Sequence, residues 1–312
     1  MDIKYKENNK LSKNNYKEHR FWRLSYSRYP KDLFDFFLST KKKNLINKKT
    51  KIACMGSCFA DQIATTLTKR NYNVLDEKEE DKRGFDPVAW GSVYNPACFK
   101  QIMDYSFNFG EFSPLTRWWP TQKKEIVMDP FRRNIYYKET QKEKKFKAHS
   151  EESKKVLSNL DVFIFTLGLT ETWRDKRDHY TFWMAPPPLA YDKSIHEFKN
   201  LTVEECTENM KQGLNTLFDH NPNCQVILTV SPVPFRATFE NSMDPVTANM
   251  SSKSKLRTSI NYLIDKFSNV SYFPAFECVL YYPGKAFKDD GRHVEQKTVN
   301  KIMNVFFTMY RQ

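Results

Sequence analysis

A chain of 312 residues with 40% hydrophobic and 15% aromatic content can bury a large core, which excludes a disordered polypeptide. Fifty Lys and Arg against 37 Asp and Glu leave a formal net charge of +13, which points toward polyanionic partners. Much of that excess sits in short lysine runs at Lys41–Lys43, Lys48–Lys49, Lys123–Lys124 and Lys142–Lys147. Such runs read as solvated surface, so nucleic acid is not the expected partner, whereas an anionic substrate such as an acidic polysaccharide or a nucleotide-linked precursor fits equally well.

Residues 1–49 are basic and aromatic without a clear period, and read as an N-terminal arm. The chain starts polar, without the apolar stretch of a signal peptide, and no segment reaches the ~20 apolar residues of a membrane span. A cytoplasmic location is therefore expected. From Lys51 the pattern sharpens. Lys51–Met55 is a short buried strand, Gly56-Ser57 a tight turn, and Cys58–Lys69 a helix with Phe59, Ile63 and Leu67 on one side. Asn71–Leu75 reads as a second strand, and Pro96–Phe107 as a helix with Phe99, Ile102 and Met103 inward. Residues 108–148, with Trp118, Trp119, Tyr136 and Tyr137, read as an insertion. A helix is expected over Ser150–Leu160 and the clearest strand over Asp161–Leu167. A second insertion spans 172–200 and carries Trp173 and Trp183. Thr202–His220 has Thr202 at the N-cap and Glu205 three residues on, the pattern of a capping box. Gln225–Val230 is a buried strand, Ala248–Phe267 a long helix, Val270–Phe273 a strand and Val294–Tyr310 the closing helix.

Strands alternate with helices, which predicts an α/β fold with a mostly parallel central sheet covered on both faces and decorated by the two insertions. No repeat and no Gly/Ser-rich linker divides residues 50–312, which read as one domain. The six cysteines match neither a zinc spacing nor a small disulfide framework and are expected as free thiols. No His/Cys/Asp cluster has metal-ligand spacing, and with only 8 glycines there is no phosphate-cradling loop for NAD or ATP. No cofactor is expected.

In an open parallel sheet, ligands bind beyond the carboxyl ends of the strands, which singles out four places. Ser57 follows the first strand and opens a helix, so its hydroxyl and amide face the crevice at the positive helix end, although a purely structural N-cap serine would look the same. Asp290 precedes His293 by three residues, close enough to fix the imidazole tautomer; a capped helix start with a surface histidine is the plainer alternative. His19, His149, His179, His196 and His220 sit in polar or insertion segments. Thr170 and Glu171 follow the strongest strand. Gly91 and Asn95 lie in the loop before a helix, where a glycine permits close approach of a backbone N–H.

Gly56-Ser57-Cys58-Phe59-Ala60 spells the signature of the GSCFA domain family, which the chain resembles. Tyr94-Asn95-Pro96, Thr166–Trp173, Ser231-Pro232-Val233-Pro234 and Asp290–His293 fall where that family has its other motifs, over roughly residues 50–305. The family is similar to the SGNH/GDSL-like hydrolases, which implies a three-layer α/β/α fold with a mostly parallel central sheet of the SGNH/flavodoxin-like kind. The resemblance implies Ser57 as nucleophile, His293 as base, Asp290 as its orienter, and the Ser57 and Gly91 amides as oxyanion donors. The chain departs from the superfamily at the third motif, where Thr170 and Glu171 stand in place of Asn-Asp. Thr170 or Asn95 would then substitute as donor. The implied activity is that of a serine-dependent acyl-ester hydrolase or O-acyltransferase on a carbohydrate, centred on O-acetyl groups of a polysaccharide or its precursor, with Trp118, Trp119, Trp173 and Trp183 available to stack on sugars. Two other readings stand beside it. One is a non-catalytic glycan- or nucleotide-binding module on a degenerate hydrolase scaffold. The other is a nucleic-acid-associated protein, whose mark would be a steep salt dependence of binding.

Overall fold

The structure, a computed structural model, describes residues 42–75, 90–133, 135–282 and 284–312. It opens with β1 (Ile52–Gly56), α1 (Cys58–Lys69) and α2 (Pro96–Phe107), then the short strands β2 (Trp119–Pro120), β3 (Ile126–Met128) and β4 (Tyr136–Lys138). Next come α3 (Lys142–Asn159), β5 (Val162–Leu167), β6 (Glu171–Asp175), β7 (Thr181–Phe182), β8 (His196–Asn200) and α4 (Val203–His220). The chain closes with β9 (Gln225–Val230), α5 (Pro245–Lys266), β10 (Val270–Phe273), α6 (Ala275–Leu280) and α7 (Gln296–Tyr310).

The central sheet has the order β1-β5-β9-β10, and each of its pairings is parallel. Its strands are apolar on both faces because each face carries its own core. Ile52, Cys54, Val162, Ile164 and Ile227 point into one core; Ala53, Met55, Phe163, Phe165, Val226 and Leu228 point into the other. The first core is closed by α1, α6 and α7 through residues such as Ile63, Cys278 and Phe306. The second is closed by α2, α4 and α5 through Phe99, Leu214 and Leu256. Phe99 stacks on Phe165 with ring centroids 4.8 Å apart. Each such side chain contributes roughly 1.5–3 kcal/mol by leaving water. The result is the expected three-layer α/β/α fold with a parallel central sheet.

The helix starts are set by local chemistry. Ser57 caps α1, Asn95 caps α2 with Pro96 in its first turn, and Thr202 with Glu205 forms a reciprocal capping box on α4. Several boundaries differ from expectation. Helix α3 starts at Lys142, within the segment expected as insertion, because its lysines are solvated on the outer face while Phe146, His149, Ser153 and Val156 form a buried stripe. Helix α5 starts at Pro245 under an Asp244 cap, and α7 only at Gln296, because Val294 is bridged to Phe287. Helix α6 was not foreseen. Asn71–Leu75 is no strand but contributes a single bridge, Val74 to Ile52. The rest of 108–148 forms the antiparallel sheet β2-β3-β4, and 172–200 most of the antiparallel sheet β7-β6-β8.

Residues 1–41 of the expected arm lie outside the described residues; its end is tied down where Ile46 pairs with Arg311. None of the six cysteines is in a disulfide; five are buried and Cys58 is half-buried. Among the described residues no helix is long and apolar enough to cross a membrane.

Candidate active site

The β1–α1 turn is built around Gly56. Its φ is +138°, and a Cβ there would lie 2.3 Å from the Thr166 carbonyl oxygen on the neighbouring strand. Only glycine lets the two strand ends come that close. Ser57 then adopts an extended backbone, and its Oγ accepts from the Phe59 N–H at 3.2 Å, as an N-cap does. The same Oγ donates to Ser231 Oγ at 2.8 Å, across to the end of β9. Ser57 is 3% exposed, yet it lines a cavity of about 670 Å³. Its amide departs from expectation. The Ser57 N–H donates to Thr166 O at 3.0 Å, because the parallel ladder with β5 continues one residue past β1.

The turn ahead of α7 also lines the cavity, through Arg292 and His293. Lys288 N–H donates to His293 O at 2.8 Å and Glu295 N–H to Ala286 O at 2.9 Å, closing a small loop. Within it Asp290 Oδ1 accepts from the Arg292 and His293 amides, each at 2.9 Å, and Oδ2 meets His293 Nδ1. The His293 hydrogen bond and then the backbone amides hold the Asp290 carboxyl well below the usual carboxylate range. A charged Oδ2 makes Nδ1 the donor, which leaves Nε2 with its lone pair toward other partners. The His293 side chain is 53% exposed, at the cavity rim. Arg292 ties this turn to the Ser231 loop, donating from Nε and Nη2 to Pro234 O at 3.2 and 3.1 Å.

The cavity thus brings together Ser57, His293 with Asp290 behind it, and Glu171. Glu171 is committed to structure: its carboxylate accepts from the Thr238 hydroxyl and from Phe239 N–H at 2.9 Å. Gly91, Asn95 and Thr170 are not on the cavity wall. Gly91, at φ +69°, lets the 129–133 turn approach, since a Cβ would lie 2.5 Å from Arg133 N. Asn95 is 2% exposed and its Oδ1 accepts from Cys98 N–H. Thr170 is wholly buried, its hydroxyl donating to Asn200 Oδ1 at 2.7 Å and its N–H to Ser252 Oγ. Of the four tryptophans expected to stack on sugars, Trp173 and Trp183 line the cavity, whereas Trp119 is a core residue and Trp118 Nε1 donates to Glu143.

Two residues of the site had no role in the sequence reading. Ser231, in the Ser-Pro-Val-Pro segment, is the hydrogen-bond partner of Ser57. Lys253, 1% exposed, donates from Nζ to Gly168 O at 2.5 Å and to Val233 O at 3.1 Å. It thereby joins the loops after β5 and β9. Burial pushes its amine down to about 7, and the facing Cys58 thiol opposes the shift. A signal for it was there: Asn249, Lys253, Leu256, Ile260 and Leu263 follow the helical period of the buried stripe of α5.

Fold and site define a class: a parallel α/β sheet covered on both faces, with a candidate nucleophile at the end of its first strand and an Asp–His pair ahead of its last helix. Residues 51–306 match the family model described as the GSCFA family, and the chain belongs to that family. Among solved structures it is similar to a carbohydrate esterase family 3 protein from Talaromyces cellulolyticus, at 10% identity and a TM-score of 0.37, covering 82% of this chain and 94% of the other. It is also similar to a mutant acetyl esterase with acetate ion, at 12% identity and a TM-score of 0.38, covering 82% and 93%. Overlaps of that size carry no argument about chemistry. No curated protein matches the sequence.

Proposed function

We propose that this protein is a serine-dependent esterase or O-acyltransferase acting on a carbohydrate, foremost on O-acetyl groups. The observation that carries the reading is that Ser57 and an Asp290-oriented His293 line one cavity from two different loops. In the proposed reaction the Ser57 hydroxyl rotates from Ser231 toward His293. Nε2 takes its proton while Oγ attacks the ester carbonyl. The tetrahedral intermediate collapses, the acyl carbon–alkoxy oxygen bond breaks, and the alcohol leaves with the proton from His293. Water, or a sugar hydroxyl in the transferase case, then gives its proton to His293 and attacks the acyl-serine, restoring Ser57. Asp290 holds the tautomer and stabilises the imidazolium.

Developing negative charge falls at the N-terminus of α1, which favours it. With the Ser57 amide engaged by Thr166 O and Gly91 off the cavity wall, neither amide of the implied oxyanion hole is in place. Each missing donor costs ~10²–10³ in rate, which leaves the α1 N-terminus as the element that favours the developing charge.

The test is release of para-nitrophenol from its acetate ester by the wild type, Ser57→Ala and His293→Ala. Turnover falling to the background rate in both variants is expected. Equal rates in all three proteins would sink the proposal. The Ser57–Ser231 hydrogen bond favours a second reading, a non-catalytic glycan-binding module in which Ser57 is only a cap. Labelling of Ser57 by a fluorophosphonate probe would eliminate it.

A further inference from the structure

The mouth of the cavity is lopsided in charge. Arg133, Arg236 and Arg292 line it from three different loops, against a single lining carboxylate, Glu171. Glu171 is already bound by Thr238 and Phe239. Among the described residues none of the three guanidinium groups has a carboxylate within ion-pair distance. The other acids nearby do little to balance them. Asp290 is paired with His293, and Asp61, which faces Arg133 at longer range, has its carboxyl pushed up to about 7 by burial.

Arg133 and Arg236 are exposed and Arg292 is half-buried, and two of the three are held by hydrogen bonds. Arg133 directly follows a fully buried ion pair, Arg132 Nε to Asp129 Oδ2 at 3.0 Å, which fixes its turn. Its own Nη1 donates to Ser92 Oγ at 2.8 Å. Arg292 is held on Pro234 O. Arg236 is exposed on the loop after β9. Holding like charges around one cavity is unfavourable until an anion joins them, and a guanidinium fork suits the oxygens of a carboxylate or a phosphate. The neighbouring wall is aromatic, with Trp173 set edge-on to Phe239 at 5.2 Å, which suits the flat face of a sugar ring.

We infer that this mouth is a subsite for an anionic group on the saccharide, a carboxylate or a phosphate, with Arg133 and Arg236 as its direct ligands. The substrate is then an acidic sugar ester, such as an acylated uronic acid or sugar phosphate, and the assignment of that group to the alcohol side rests on the esterase reading above.

The experiment is titration calorimetry on the Ser57→Ala protein with methyl glucuronide, a hexose monophosphate and neutral methyl glucoside, repeated after adding Arg236→Gln or Arg133→Gln. At least one acid is expected to bind ~10-fold or more tightly than the neutral sugar, from one or two charge-assisted hydrogen bonds. That advantage is expected to shrink in about 0.5 M salt and to fall in each arginine variant. Which acid wins decides between carboxylate and phosphate. Equal affinity for charged and neutral ligands, no binding of any, or an advantage untouched by both substitutions overturns the subsite. Because the protein titrated lacks the nucleophile, loss of the esterase reading leaves this result standing. An active esterase without anion preference would be the converse.

Discussion

The two sides of the cavity are built in opposite ways. Ser57 is buried, capping a helix and laddered to Thr166 at the end of a parallel strand. His293 and Asp290 sit on a short turn, about half exposed, and that turn is fastened by backbone hydrogen bonds and by Arg292 on Pro234. The nucleophile side is therefore inseparable from the fold, whereas the base side is an attachment whose loss the fold can survive. Substitutions in the turn that carries Ser57 should register first as stability, and those on the second side as activity alone.

The largest effect is expected at Gly56. An alanine there would place its Cβ 2.3 Å from a backbone oxygen at φ +138°, and neither neighbour can give way without breaking the sheet. Gly56→Ala should cost about 4 kcal/mol or more, at the rare end of single substitutions, measured by denaturant unfolding or seen as failure to fold. A soluble variant with wild-type stability would mean that the turn is not as tight as described. Next comes His293→Gln. The reading of His293 as base predicts a loss of up to about 10⁶ in turnover, with a thermal midpoint within a few degrees of wild type. Asp290→Asn should follow with a smaller loss, below about 10⁴, because a half-exposed carboxylate orients the ring through a solvent-screened contact. If either variant unfolds the protein, the contrast between the two sides fails.

Lys253 adds a third kind of position, a buried amine that joins the loops after β5 and β9. Lys253→Met leaves the Gly168 and Val233 carbonyls without their buried donor. A loss of about 1–3 kcal/mol is expected, together with a raised KM, since both loops line the cavity. An unchanged KM would confine Lys253 to packing.

The same contrast explains what could be read from the sequence. The nucleophile side is local: an apolar strand, Gly-Ser and a helix of clear period together specify the turn, and β1, α1, α4, β5 and β9 were legible from pattern alone. Asp290 and His293 were legible because they are three residues apart and meet within one turn. What stayed hidden depends on contacts far apart in sequence. Ser231 reaches Ser57 across 174 positions. Thr170 and Asn95 have the right chemistry, but packing against Asn200, Ser252 and Cys98 uses it elsewhere. Local pattern says which side chains could act; only the tertiary arrangement decides which are free to.

The smallest effect, and the most selective, concerns Asp61 in the first turn of α1. Burial raises its carboxyl from 3.8 to about 7, Arg133 opposing. Between about pH 4 and 7 the folded state therefore binds more protons than the unfolded one, so stability falls as pH rises through that window, and the penalty is complete above it. Lys253 works the other way. Its amine is lowered from 10.5 to about 7, the unfolded state binds more protons above pH 7, and stability rises from there toward about 10. The two penalties overlap near neutrality. A thermal-midpoint profile from about pH 4 to 10 should carry a shallow dip near 7. Asp61→Asn should flatten its acid limb and Lys253→Met its alkaline limb, each leaving the other in place. Because Asp61 keeps some solvent contact, its limb should be the shallower one. If Asp61→Asn leaves the acid limb unchanged, the carboxyl titrates as an ordinary surface acid, and Arg133 then faces a charged partner at neutral pH.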